Sequence, residues 1–262
     1  MDGAARVGLA AIALAACGAS PRSPAATVLA RGTLAYAVAA AGDRVVSIEL
    51  DDRFALLVRK PDDARVLGRI DLGPPERDLP ALAAAGDRAW VGGADGQVRA
   101  VDLARGAVVA TWPVGAAVTA LAAAGDWVAI GDAAGVLCLR RADDGALVQC
   151  AVAAAAPIAA IGVERGAGGE VLRVLAGGQT RGWRLPALAR VPGAAPGIAW
   201  GGGQVVVRGR TVELVRARGR QRLLTLAGAV RAIAIAPGGG LAVAAWVTTL
   251  DDPSLVVLAP VD

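Results

Sequence analysis

Side chains able to do chemistry are few in this chain and unevenly placed. Four vicinal acidic pairs, Asp51-Asp52, Asp62-Asp63, Asp143-Asp144 and Asp251-Asp252, carry the carboxylates that calcium binding or acid–base work requires. Each falls where a hairpin turn is expected, and Asp favours turns because its carboxylate bonds its own backbone. The turn reading is preferred. Arg216, Arg218, Arg220 and Arg222 recur at every second position, with Arg208 and Arg210 just before them. On an unbroken strand all four point to one side, a row able to hold a phosphate or carboxylate bidentately. Lipopolysaccharide, phospholipid head groups and an acidic peptide are the candidate ligands. Gly219 marks a turn inside the row, and a solvated outer edge is the favoured alternative.

The remaining chemistry is limited by what is missing. The chain has no His, no Asn and three Cys, so a zinc or copper site would rest on carboxylates alone. No general base for a Ser or Thr nucleophile is evident. No catalytic residue, metal ligand or cofactor is therefore expected. Cys138 and Cys150 stand six residues to either side of Asp144, so a hairpin centred there sets them directly opposite. They can bond if the pair is the closely spaced kind. Two free thiols, or a turn that shifts the register by one, is the alternative.

The elements that position these residues follow from an internal repeat. Ala81 to Val109 is written again, 39 residues on, in Ala120 to Val148: Leu82 falls on Leu121, Gly86-Asp87 on Gly125-Asp126, Gly96 on Gly135 and Gly106 on Gly145. A period near forty without insertion is that of a four-stranded propeller blade, which buries its faces only when neighbours stack on it. Gly86-Asp87, Asp95-Gly96 and Arg105-Gly106 supply the turns between four short strands. Helices are rejected despite the Ala content, because Gly, Pro or Asp-Gly interrupts the apolar runs too often.

The expected fold is all-β, a propeller of six four-stranded blades in residues 26–262, with five or seven blades as alternatives. Blade one spans Leu34 to Leu72 and carries about five extra residues, assigned to the Leu50 to Arg53 hairpin. Blade four spans Pro157 to Val191, with its first turn lengthened by Arg165 to Glu170. Blade five, Gly197 to Leu226, is the shortest and most basic. Blade six, Val230 to Leu258, shows three strands, and Ala26 to Ala30 is expected to supply the fourth. Six Trp residues come at about one per blade after the first, a spacing suited to packing between blades. The net charge of +4 is mild and permits anionic partners. Nucleic acid is not expected, since the Arg patch is not interleaved with aromatics.

Arg6 followed by the apolar run Val7 to Ala16 has the dimensions of a secretory signal, and it ends in Leu14-Ala15-Ala16-Cys17. That tetrapeptide resembles the lipobox of bacterial lipoproteins. The resemblance implies a signal peptide over 1–16, lipid on Cys17, and a tether over 17–25 ahead of the domain. Gly18 after the Cys implies the periplasmic face of the outer membrane, an oxidising setting for Cys138 and Cys150.

Blade two, with Asp95-Gly96, Val98, Ala100, Asp102, Gly106 and Trp112, is similar to pyrroloquinoline-quinone-type propeller repeats and more loosely to WD repeats. The quinoprotein dehydrogenases imply an adjacent Cys pair and a longer chain, neither found here, so the resemblance extends to the scaffold and not to the cofactor. The propeller lipoprotein of the outer-membrane β-barrel assembly machinery likewise joins a lipobox to such repeats, but its family implies eight blades. The expected function is a membrane-anchored, non-catalytic protein-interaction scaffold of the cell envelope. Its rival is a periplasmic hydrolase or lyase acting on a small anionic substrate at the channel.

Overall fold

In the computed structural model the residues described are 26–31, 33–74, 81–166, 168–191, 198–200, 202–235, 240–245 and 252–259. Every regular element among them is a β-strand. After β1 (Ala26–Arg31), blade one contains β2 (Leu34–Ala41), β3 (Arg44–Leu50), β4 (Phe54–Arg59) and β5 (Val66–Gly73). Blade two contains β6 (Ala81–Ala85), β7 (Arg88–Gly92), β8 (Gln97–Asp102) and β9 (Ala107–Pro113), and blade three β10 (Val118–Ala124), β11 (Trp127–Asp132), β12 (Val136–Arg141) and β13 (Leu147–Val152). Blade four follows with β14 (Ile158–Gly166), β15 (Gly169–Ala176), β16 (Gln179–Arg184) and β17 (Ala189–Val191). Blade five has β18 (Ile198–Trp200), β19 (Gly203–Arg208), β20 (Thr211–Arg216) and β21 (Gly219–Thr225). Each is an antiparallel meander with its first strand innermost.

The sixth sheet is ordered β1-β24-β23-β22, where β22 is Val230–Ile235, β23 Leu241–Ala245 and β24 Pro253–Leu258. Ala26 lies opposite Leu258 and Arg31 opposite Pro253. The N-terminal strand thus completes the last blade, so the first and last strands of the described chain hold one sheet together. The ring has six four-stranded blades.

Two expected insertions lie elsewhere. In blade one the β3–β4 connection is only Asp51–Arg53, shorter than its blade-two counterpart. The extra residues instead lengthen β3 and the β4–β5 turn, where Lys60 N–H donates to Arg65 O at 3.1 Å. The β4–β5 ladder accommodates the longer turn with register shifts between Phe54 and Ala55 and between Val58 and Arg59, bulges of the kind that absorb an extra residue. In blade four the residues Arg165 to Glu170 extend the ladder rather than the turn: Arg165 pairs with Glu170 and Gly166 with Gly169.

Among the described residues, apolar clusters pack five of the six seams between blades. Ile48, Leu56 and Val58 meet Ala89, Val91 and Val101 between blades one and two, and Trp90, Val98 and Trp112 meet Val118, Val128 and Ile130 between two and three. Leu137 and Leu139 meet Leu172, Val174 and Trp183 between three and four. Val205, Val212 and Leu214 meet Leu241, Val243 and Val256 between five and six. Leu29, Ala242 and Leu255 meet Ala35, Val38 and Val45 where six closes on one. Four of the six Trp residues, Trp90, Trp112, Trp183 and Trp200, are buried. Trp127 is half-buried, and Trp246 lies outside the described residues.

The closing seam also buries charge. Ser47 (0% exposed), Glu49 (3%) and Arg59 (5%) form one network. The Arg59 guanidinium pairs with the Glu49 carboxylate and donates to Ser47 Oγ at 2.9 Å, while Ser47 Oγ donates to Glu49 Oε1 at 2.6 Å. Thr33 Oγ1 donates to Glu49 Oε2 at 3.0 Å and lies 3.2 Å from Ser254 Oγ on β24. The network thereby reaches from blade one to blade six.

Candidate functional site: the channel and the seam between blades four and five

Innermost strands wall the central channel, and most of the side chains they place there are apolar. Val38, Ala39, Ala83, Leu121, Ile161 and Ile233 line it. Two contiguous compartments of about 580 and 550 Å³ share Val38, Leu82, Leu121, Ile161, Gly162, Arg173 and Ile233. Elsewhere the lining belongs to first strands, but at blades four and five it reaches outward to Arg173, Leu175, Thr180 and Val205 to Val207. Among the described residues the lining extends sideways there.

Burial along the two sheets shows why. On β15, Leu172, Val174 and Ala176 are buried toward blade three, whereas the alternating Val171, Arg173 and Leu175 are only half-buried. On β20, Val212 and Leu214 are buried toward blade six, whereas Glu213 and Val215 are half-buried. Successive strand residues point to opposite faces, so the half-buried sets face each other across the seam between blades four and five. Among the described residues no apolar cluster spans this seam.

Its walls are charged instead. Arg173 Nε donates to Glu164 Oε2 at 2.6 Å, and Nη2 pairs with the same oxygen. Arg173 Nη1 is buried without a hydrogen-bond partner. A Cβ on Gly182, the residue opposite, would stand 2.7 Å from Nη1, so the guanidinium lies directly over the glycine. From blade five, Glu213 Oε2 is buried without a hydrogen bond, with Arg208 Nε at 3.5 Å and Arg220 Nη1 at 3.9 Å.

The four alternating arginines do not form one row. β20 ends at Arg216, Ala217 and Arg218 form the turn, and β21 begins at Gly219. Arg220 lies opposite Val215 and Arg222 opposite Glu213, so both share the face turned to blade four. Arg216 packs against Gly203 on the other face, and Arg218 stays in the turn. The hairpin therefore directs only Arg220 and Arg222 to the seam.

Other predicted site residues lie away from it. Cys138 and Cys150 face each other across the β12–β13 ladder as a disulfide, Sγ–Sγ 2.05 Å and Cα–Cα 4.0 Å, the narrow spacing of a non-hydrogen-bonded pair. Asp51-Asp52, Asp62-Asp63 and Asp143-Asp144 occupy hairpin turns. Asp144 Oδ1 accepts the Ala146 N–H at 2.9 Å and its carboxylate pairs with Arg141, which holds the carboxyl below its usual range. Asp251 and Cys17 lie outside the described residues.

No family model matches the chain, and no curated protein sequence is similar to it. Solved structures are. The WD40 repeats of RRP9 superpose with a TM-score of 0.71 at 12% identity, covering 91% of this chain and 99% of that one. U3-55K gives 0.68 at 12% identity, with 89% and 98% covered. A chain of the mitotic checkpoint complex gives 0.57 at 15% identity, with 87% and 77% covered. The fold is a WD40-like β-propeller.

Sequence reasoning singled out Arg220 and Arg222, with Arg208 noted just before them, but missed Arg173, Glu164, Glu213 and the opening between the blades. Arg173 carried a signal, as a lone charge within the apolar strand Val171 to Ala176. The exposed edges of the propeller carry a further feature. Val66 and Leu67 on β5, Val108 and Val109 on β9, and Leu147, Val148 and Val152 on β13 are all exposed.

Proposed function

We propose that the protein is a non-catalytic protein-interaction scaffold, tethered to the bacterial cell envelope by lipid on Cys17. The observation that carries the reading is the exposed apolar belt on the outermost strands of blades one to three. Exposed valines and leucines grouped on rigid outer strands are surface that a partner covers. The WD40 repeats and the checkpoint-complex chain that share the fold fit such a role. The lipobox Leu14-Ala15-Ala16-Cys17 and the short Pro-rich stretch after it support a tether.

The hydrolase or lyase reading needs two carboxyls at the channel, one as acid and one as base. The described lining offers Glu164, which Arg173 holds in an ion pair. Kinship to quinone-type propellers rests on blade two alone, and the scaffold reading does not require it.

Photo-crosslinking in the native host tests the scaffold, with a photoreactive amino acid at Val109 or Val148 and, as a control, at Val91 in a closed seam. Discrete protein adducts from the two belt positions and none from Val91 are expected. No adduct from the belt, together with turnover of a small anionic ester that Glu164→Gln abolishes, would transfer the function to the rival.

A further inference from the structure

We infer that the seam between blades four and five is a docking cleft for an extended acidic segment of a partner protein. The inference builds on the scaffold reading and names the chemistry of one partner. From the outer edge inward, the facing residues are Arg220 and Arg222 on β21, Glu213 on β20 and Arg184 on β16, then Arg208 on β19 and Arg173 on β15. With Glu164 at the channel wall, five guanidinium groups face two carboxylates. The excess is largest in the outer half, where Arg184, Arg220 and Arg222 are all exposed.

Two buried polar atoms lack hydrogen-bond partners, one on each wall: Arg173 Nη1 and Glu213 Oε2. Both groups are ion-paired through other contacts, yet a buried polar atom without its hydrogen bond costs about 1–3 kcal/mol. An inserted segment supplies what the walls lack. Its carboxylates meet Arg184, Arg220 and Arg222 by charge-assisted hydrogen bonds, while Arg208 stays with Glu213 and a main-chain N–H of the segment donates the hydrogen bond that Glu213 Oε2 lacks. Further in, parting of the walls brings a main-chain carbonyl to Arg173 Nη1, which is buried and without a partner while Glu164 takes Nε and Nη2. Leu175, Val206 and the widened channel receive an apolar side chain. Acidic residues alternating with apolar ones are the pattern that fits.

The full chain, purified in detergent, is titrated with a fluorescein-labelled twelve-residue peptide alternating Glu and Leu. Saturable binding is expected, weakened at least tenfold by the paired change Arg220→Glu and Arg222→Glu, and similarly by Arg173→Gln. The paired change Arg69→Glu and Arg105→Glu, at exposed sites in blades one and two, is expected to leave affinity within twofold. Because Arg220 and Arg222 are exposed, an unaltered melting curve for that variant separates lost binding from lost folding.

Amide exchange is expected to slow at residues 171–175 and 211–215 on peptide addition. Absence of binding, indifference to the seam substitutions, or equal binding of the Lys-Leu counterpart overturns the inference. So does displacement by pyrophosphate or phosphatidylglycerol vesicles at equal anionic charge, which would assign the arginines to phosphate groups. A crosslinked adduct from Val109 that persists in the Arg220→Glu, Arg222→Glu variant leaves the scaffold reading standing while these outcomes remove the seam.

Discussion

Trp112, on the outermost strand of blade two, lies against Gly145 in the last turn of blade three. A Cβ on Gly145 would stand 2.2 Å from Trp112 Cε2, so the close approach of two neighbouring blades depends on a missing methyl group. The equivalent Gly106 in blade two has open space around it. Both glycines have positive φ, 65° at Gly106 and 72° at Gly145.

This pair separates backbone strain from packing. Gly106→Ala is expected to lose only the left-handed backbone penalty, about 1–2 kcal/mol. Gly145→Ala adds overpacking against the indole, a further ~1–3 kcal/mol. Urea unfolding of both variants, alone and in a Trp112→Ala background, checks the assignment. The extra cost at Gly145 is expected to vanish once the indole is gone, and equal losses in both backgrounds would contradict the contact.

The buried pair at the closing seam leads to a second expectation. Glu49→Ala leaves the Arg59 guanidinium buried without its counter-charge and is expected to destabilise by about 3–5 kcal/mol. Replacing both partners together, Glu49→Leu with Arg59→Met, is expected to cost less than Glu49→Ala alone, because no lone charge remains buried. Chemical denaturation of the three proteins decides this. A double variant less stable than the single one would mean that the network contributes more than it costs to desolvate.

Acid sensitivity follows from the turns. Backbone and arginine hydrogen bonds lower the carboxyl of Asp144 from its ordinary 3.8, with the Ala146 N–H the largest cause and Arg141 next; at Asp71 the Gly73 N–H leads and Arg53 follows. A group whose folded pKa is depressed adds stability above its unfolded pKa and loses it as pH falls through the folded value. Stability is therefore expected to be level from neutral pH to about the unfolded carboxyl value and to fall below it. In Asp144→Asn the fall is expected to be shallower, with neutral-pH stability slightly reduced. Parallel acid titrations followed by circular dichroism measure the difference, and superimposable curves would contradict it.

Much of the fold was legible because the 39-residue offset keeps turn residues in register, and a turn is a local event. Gly86, Gly96 and Gly106 announce where strands end whatever packs upon them. The fourth strand of blade six was legible from its absence after Val230 and from the spare run at Ala26. The extra residues of blades one and four were misplaced because strand extension and turn extension look alike when the added residues are polar. Arg165 and Glu170 pair across a ladder although both read as loop.

The open seam was illegible for a different reason. An inner blade strand is apolar on both faces, so alternation cannot say which face meets which neighbour, and Val171 and Leu175 look no different from Leu172 and Val174. The break in Arg216 to Arg222 was legible from Gly219, but not which arginines meet blade four, because the two-residue turn at Ala217 and Arg218 preserves the alternation in number while reversing the chain.

The intact mass of the membrane-fraction protein, taken without reductant from a two-membraned bacterial host that processes a control lipoprotein, tests the account most directly. The expected mass is that of residues 17–262 carrying a diacylglyceryl group and an acyl chain on Cys17, less two hydrogens for the bond between Cys138 and Cys150. An unprocessed, unlipidated chain of 262 residues in the soluble fraction would contradict the tethered scaffold.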